Sequence, residues 1–282
     1  MPRHVTAGVD SSPESLAAAH WAAREALLRN APLLLVHVEE WPLPVAVAAP
    51  TIDRDDHRRW ADRLLDAAAA ELRERHPGAD VTTRRLSGRA PAALAVEAAS
   101  SDLLVLGSRG LGTVSGALMG SVGSAVVGAT EVPVVMVRAG GGDGTGHEVV
   151  AGVDLGPGTD DALAFAFAAA GRRDRPLRVV HAAKVPLFHA HSAAYRRQAA
   201  AEAAESLATA LAPWRDRFPA VAVTERAVPG AAAQVLVQES AEALLVVAGR
   251  RIRHAPVVPH IGHVTHAVMH HCTAPVAVVA HA

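Results

Sequence analysis

The chain has 282 residues, half of them hydrophobic but only 3% aromatic, and a formal net charge of −1. Its length suits two domains with cores of Ala, Val and Leu, and its apolar content excludes intrinsic disorder. The charge balance excludes a general polyanion binder such as a non-specific nucleic-acid protein, and the single Cys272 excludes an intrachain disulfide framework.

The first predicted strand is Val5–Val9, closed by Asp10. Ser12-Pro13-Glu14 then supplies an N-cap, a first-turn proline and an acidic first turn for a helix through Arg29. Leu33–Val38 is the second strand. The segment from Glu40 to Asp56 is longer than an ordinary connection, and its Trp41 and VAVAA run serve either as packing or as a lid. Trp60, Leu64, Leu65 and Leu72 recur near helical spacing on a second helix. Val81–Leu86 is the third strand, and Pro91 opens the third helix. Leu103–Leu106, a helix from Gly120-Ser121, and Val132–Val137 complete the set.

The same text then repeats. VTAGVDSS at 5–12 returns as VVAGVDLG at 149–156, LLLVHVEE at 33–40 as LRVVHAAK at 177–184, and SDLLVLGSRG at 101–110 as AEALLVVAGRRI at 241–252. A steady offset means one fold used twice. The predicted division is a domain over 1–138, a glycine-rich linker over 139–147 and a second domain over 148–282. Strand and helix in alternation predict an α/β fold: two tandem doubly wound domains, each with a parallel sheet covered by helices on both faces. Ligands in such sheets sit beyond the carboxyl ends of the strands, here Asp10, Val38 and Gly107.

The chemistry gathers after the fourth strand. Gly107, Gly110 and Gly120 followed by Ser121 give the spacing G-x2-G-x9-G-S. Glycines let a ligand reach backbone N–H groups and can adopt positive φ. A helix opening at Gly120-Ser121 offers unpaired N–H groups and a favourable dipole to an anion. Ser121 and Ser124 add hydroxyl donors, and Arg109 adds charge. A Walker A loop is excluded, because Lys184 is the single lysine among 27 basic residues and lies in HAAKVP. Gly110-Leu-Gly112-Thr-Val-Ser115 only imitates a dinucleotide fingerprint, since it follows the wrong strand.

That spacing resembles the nucleotide signature of the universal stress protein family, in its ATP-binding branch. GVDSS, LLLVHV and VPVVMV resemble the same family in the same order, so the chain looks like a tandem form nearly end to end. The resemblance implies five strands per domain in the order 3-2-1-4-5. It also implies domain pairing, and a homodimer, through the terminal strands Val132–Val137 and Pro275–Val279. The implied ligand is ATP or another adenine nucleotide, with room for Mg2+ on the phosphates. Asp10 would hold the nucleoside end, with Gly8 and Val9 lining the adenine slot and Val38 meeting the adenine edge. Leu106, Gly107, Arg109 and Gly110 would wrap ribose and phosphates, and Gly120, Ser121 and Val122 would bind phosphate. Gly123 departs from the small hydroxyl residue often found there.

The second copy keeps Asp154, Gly249 and Gly262, but Ile252 replaces Gly110, His263 replaces Ser121 and His266 replaces Ser124. Ile252 resists positive φ, and Pro256 and Pro259 each remove an N–H donor. The expected result is a degenerate site, with Asp154, Gly249, Arg251, Gly262 and His263 as its weak remainder. His263, His266 and His270 share one helix face and form the single candidate metal cluster, although no metal is expected. His37 and His181 occupy equivalent strands and are read as structural. No G-x-S-x-G or H-E-x-x-H is present, and no base is placed for hydrolysis, so at most weak ATPase activity is expected. The N-terminus lacks a signal-peptide apolar region and no apolar run reaches about 18 residues, which predicts a cytoplasmic protein away from the membrane. The expected role is nucleotide-dependent stress regulation. A slow ATP hydrolase and a nucleotide-independent interaction module remain as alternatives.

Overall fold

The structure is a computed structural model that describes residues 4–40, 53–108, 121–140, 146–186, 188, 192–252 and 261–282. The chain divides into two compact units, Met1–Asp143 and Gly144–Ala282. The first contains β1 (Val5–Gly8), α1 (Pro13–Arg29), β2 (Leu33–Glu39), α2 (Arg54–Arg75), β3 (Val81–Ser87), α3 (Ala90–Ala98), β4 (Leu103–Ser108), α4 (Ser121–Ala129) and β5 (Val134–Arg138). Its strands run parallel in the order β3-β2-β1-β4-β5. The second contains β6 (Glu148–Val153), α5 (Thr159–Arg173), β7 (Leu177–Ala183), α6 (Ala193–Arg217), β8 (Val223–Pro229), α7 (Ala232–Glu239), β9 (Ala243–Arg251), α8 (His263–His271) and β10 (Val276–His281). Its order is β8-β7-β6-β9-β10, again parallel.

In the first unit α1 packs beside α2 and α3 beside α4, which covers both faces of the sheet. The central strands are accordingly buried nearly throughout. The third strand departs from the expected apolar run: Thr82–Arg84 are exposed, as suits an edge strand. Helix α1 starts where its caps predict. The Ser12 hydroxyl accepts from the Ser15 amide at 3.2 Å, and Asn30 ends the helix in the left-handed region at φ 50°. Its buried side is mostly Ala18, Ala19, Ala22, Ala23 and Ala26, which lets the helix lie close to the strands. In α2 the buried stripe is Ala61, Leu65, Ala68, Ala69 and Leu72. Trp60, expected on that stripe, is 39% exposed. It stacks on His57 and meets the His37 ring edge-on, so helical spacing alone placed it one position off the core.

The second unit builds its aromatic core differently. Phe167 of α5 is fully buried, with Trp214 and Phe218 centred 5.8 and 5.4 Å from it. Among the described residues no helix is long and apolar enough to cross a membrane. Truncating Phe167 would leave a large void under both neighbours. Phe167→Ala is therefore expected to cost about 3–5 kcal/mol, measured as a lowered urea midpoint with the slope unchanged.

Candidate functional site

At the carboxyl edge of the first unit a cavity of about 170 Å3 opens between the ends of β1, β2 and β4 and the start of α4. Gly8, Val9, Asp10, Val38, Leu106, Gly107 and Val122, all predicted site residues, line it together. Ser12, Glu14, Ser15, His37, Leu94 and Gly123 line it as well, and sequence reasoning did not assign them there. The helix cap at Ser12 was the available signal for three of these, since a cap fixes where the following first turn must lie. Ser124 is half-buried and lies outside the lining. Arg109, Gly110 and Gly120 lie outside the described residues, as do Trp41 and the VAVAA run, and of Ser121 only the backbone is described, as the first residue of α4.

Gly107 does not use the positive φ expected of it, and a close contact requires the glycine. Glycines at positive φ in the described residues are Gly78, Gly88, Gly140 and Gly158, and Gly107 is not among them. A Cβ on Gly107 would instead lie 2.6 Å from the Ser15 nitrogen and 2.7 Å from the Glu14 carbonyl carbon. The glycine lets the first turn of α1 rest on the end of β4, and that contact forms one wall of the cavity. At Gly8 a Cβ would meet the Leu106 side chain at 2.7 Å, another close wall-to-wall approach.

Asp10 is held by local geometry. Its Oδ1 accepts from the Ser12 amide at 3.1 Å and the Ser12 hydroxyl at 2.5 Å, while its own amide donates to Ser15 Oγ at 3.2 Å. The chain passes through Ser11 at φ 69°, a left-handed conformation that costs a non-glycine residue about 1 kcal/mol or more. The second copy repeats the device: Asp154 Oδ1 accepts from the Gly156 amide at 3.0 Å, and Leu155 sits at φ 57°. Both copies therefore present a carboxylate at the same strand end. His37 and His181 also match, with Nδ1 to Val9 O at 2.7 Å and to Val153 O at 2.9 Å. In each unit this bond ties the second strand to the end of the first, and His37 also lines the cavity.

The second unit keeps a cavity of about 150 Å3 in the same position, with Asp154 and Gly249 on its walls. Arg251, Gly262 and His263 do not line it, whereas Thr265 and His281 do. Arg251 and His263 are exposed, and Gly262 is the N-cap of α8. The chain at Ile252 runs on along the sheet, its amide donating to His281 O at 2.7 Å, so an N–H is spent on the strand ladder. The imidazole of His281 fills the space beside Gly249, 3.2 Å from where a Cβ would be. It also occupies the volume of a side chain at Gly158, whose Cβ would fall 1.9 Å from Nδ1.

A further difference lies on the flank. Aligned on the helix C-caps His76 and Phe218, Trp60 of α2 corresponds to Glu202 of α6 and His57 to Ala199. The aromatic stack that closes this side in the first unit is gone in the second. A polar groove of about 470 Å3 stands there, lined by Asp154, His181, Lys184, Tyr195, Gln198 and Glu202 among others. The three histidines of the candidate cluster, for which no metal was expected, do not form a set. His266 and His270 meet, His263 stays apart and exposed, and no group of three metal-ligating side chains exists among the described residues.

Fold and site together define a tandem doubly wound α/β protein with a carboxyl-edge cavity in each copy. The chain belongs to the universal stress protein family, whose model matches residues 1–138 and 147–280. It is 35% identical to Universal stress protein Rv2005c of Mycobacterium tuberculosis, over 97% of this chain and 96% of that one. Universal stress protein Rv2623 of the same organism is 34% identical, over 88% and 86%. A universal stress protein from Archaeoglobus fulgidus shares the fold with a TM-score of 0.73 at 17% identity, over 98% of both chains.

Because a backbone nitrogen cannot move aside as a side chain can, Gly107→Ala must push α1 away from β4. The expected cost is about 1–3 kcal/mol, measured by chemical denaturation. Gly8→Ala, opposed only by a Leu side chain end, is expected to cost less.

Proposed function

We propose that the first unit binds an adenine nucleotide and that the bound nucleotide regulates the protein in stress physiology. The observation that carries this reading is the convergence of Gly8, Val9, Asp10, Val38, Leu106, Gly107 and Val122 on one cavity. Val9, Val36, Leu94 and Leu106 supply apolar walls for a flat base. The backbone at Val38 faces the base edge, and the Asp10 carboxylate accepts from sugar hydroxyls. The cavity is smaller than the roughly 300 Å3 and above typical of a pocket for a whole drug-sized ligand. The phosphates accordingly extend past Gly107 toward the start of α4, where helix N–H groups favour an anion. Arg109, Gly110, Gly120 and Ser121 belong to this phosphate segment, and the family resemblance rather than described geometry supports their role. ATP fits the full G-x2-G-x9-G-S spacing. Mg2+, where it accompanies a triphosphate, is carried chiefly by the phosphate oxygens, as is usual for this cation.

In the second unit the ring of His281 takes space at the equivalent cavity and the Ile252 amide is already bonded. Nucleotide binding is therefore assigned to the first unit, with one site per chain.

Denaturing the purified protein and identifying any released nucleotide is the direct test, followed by titration with a fluorescent ATP analogue. The expected stoichiometry is one per chain. Asp10→Ala is expected to weaken binding about tenfold or more, equivalent to about 1.4 kcal/mol. Asp10→Asn keeps an acceptor for Ser12 and is expected to fall between. Absence of saturation at millimolar nucleotide would overturn the assignment.

Changing Gly110 to isoleucine copies the second unit's residue into the first. Gly110→Ile is expected to abolish binding of the triphosphate while leaving the unfolding free energy within about 1 kcal/mol of wild type.

A further inference from the structure

Helix α8 carries a pair of histidines that the nucleotide reading does not use. His266 and His270 lie one turn apart, with their Nε2 atoms 3.1 Å from each other. The ring centroids are 4.2 Å apart, so the two rings converge toward their Nε2 tips. His266 is exposed and His270 is buried, which leaves the pair open to solvent on one side.

We propose that His266 and His270 form a two-imidazole chelate for a late first-row divalent cation of the Zn2+ or Ni2+ type. Two histidines four residues apart on a helix face the same side and are a recurrent way to hold such an ion. The distance agrees with this. At metal–nitrogen bonds of about 2.0–2.1 Å, two nitrogens 3.1 Å apart subtend an angle of about 100° at the metal. That lies between the right angle of an octahedral or square-planar site and the tetrahedral angle. Imidazole nitrogen selects Zn2+, Ni2+ or Cu2+ over Mg2+ and Ca2+, which prefer oxygen. No third His, Cys, Asp or Glu completes a set among the described residues.

A second close histidine pair among the described residues is arranged differently. His20 uses Nδ1 toward His76 Nε2 at 2.9 Å and Nε2 toward Glu71 Oε1 at 3.1 Å, so both its nitrogens serve a relay between α1 and α2. In α8 the two imidazoles meet tip to tip with the same atom of each. An ion there spans the turn from His266 to His270, directly after Val264 and Thr265, which line the second unit's cavity. Thr265 Oγ1 donates to Gly249 O at 2.7 Å, which links the same turn to β9. Metal binding thus stabilises α8 and the cavity wall it forms, by mass action on the folded state.

Isothermal titration of the full chain, free of any affinity tag, with Zn2+ and separately with Ni2+ tests the proposal. The expected result is one saturable site that His266→Ala weakens about tenfold or more, equivalent to about 1.4 kcal/mol. His263→Ala and His271→Ala, on the same helix, are expected to bind within about twofold of wild type. Zn2+ is expected to raise the thermal midpoint of wild type and not of His266→Ala, while Mg2+ leaves both unchanged. His266 is exposed, so its variant keeps the fold, and circular dichroism verifies this. Absence of saturable binding, or binding that His266→Ala leaves within about twofold, overturns the proposal and reduces the pair to a hydrogen-bonded staple.

Discussion

At the end of β4 the first turn of α1 comes so close that a Cβ on Gly107 would overlap the Ser15 amide nitrogen. Most of the first unit's carboxyl edge depends on that approach. It holds Glu14 and Ser15 against the strand, sets the position of Ser12 and, through the Ser12 hydroxyl and amide, orients the Asp10 carboxylate. Buried backbone cannot yield as a side chain tip can, so a glycine is the only residue that meets the constraint without moving a helix. The space this creates between three strand ends is the cavity.

The second unit satisfies the same constraint with different atoms. There the volume beside Gly249 is taken by the imidazole of His281, from the last strand, and not by the first turn of a helix. Room for the ring comes from Gly158, which stands in the repeat where Glu14 stands in the first copy. A ring gained at the chain's end and a side chain lost at the helix start are thus two halves of one exchange. On the other flank, Glu202 in place of Trp60 opens a polar groove where the first unit has an aromatic stack. Both copies retain Asp at the first strand end, the left-handed residue after it and the histidine that braces it. What differs is what packs beside the glycine at the end of the fourth strand of each copy, the first turn of α1 at Gly107 and the His281 ring at Gly249.

The repeat, the strands, the caps of α1 and the convergence of strand ends were legible because each rests on local pattern. Hydrophobic runs, a Ser-Pro-Glu cap and a steady offset need no knowledge of distant contacts. Trp60 was misplaced because a large side chain at helical spacing can cover a neighbouring histidine as readily as enter a core. The reason for Gly107 was misjudged because torsional freedom and close approach leave the same letter in a sequence. His281 and Thr265 gave no signal at all, since their roles depend on residues more than 15 positions away that only the sheet brings together. The histidine face of α8 was visible by spacing, but which two of its members meet was set by rotamers and by packing around buried His270.

The sequence by itself determined that one α/β domain occurs twice, placed each strand end of the first copy to within about two residues, and showed that the copies differ in their glycine loop. Those properties follow from periodicity, turn chemistry and side-chain size, all of which act over a few residues. Only the tertiary structure decided that Gly107 serves helix-to-strand contact, that the His281 ring packs beside Gly249 in the second cavity and that His266 faces His270. These are outcomes of close packing, in which the atoms that compete for one volume come from distant parts of the chain.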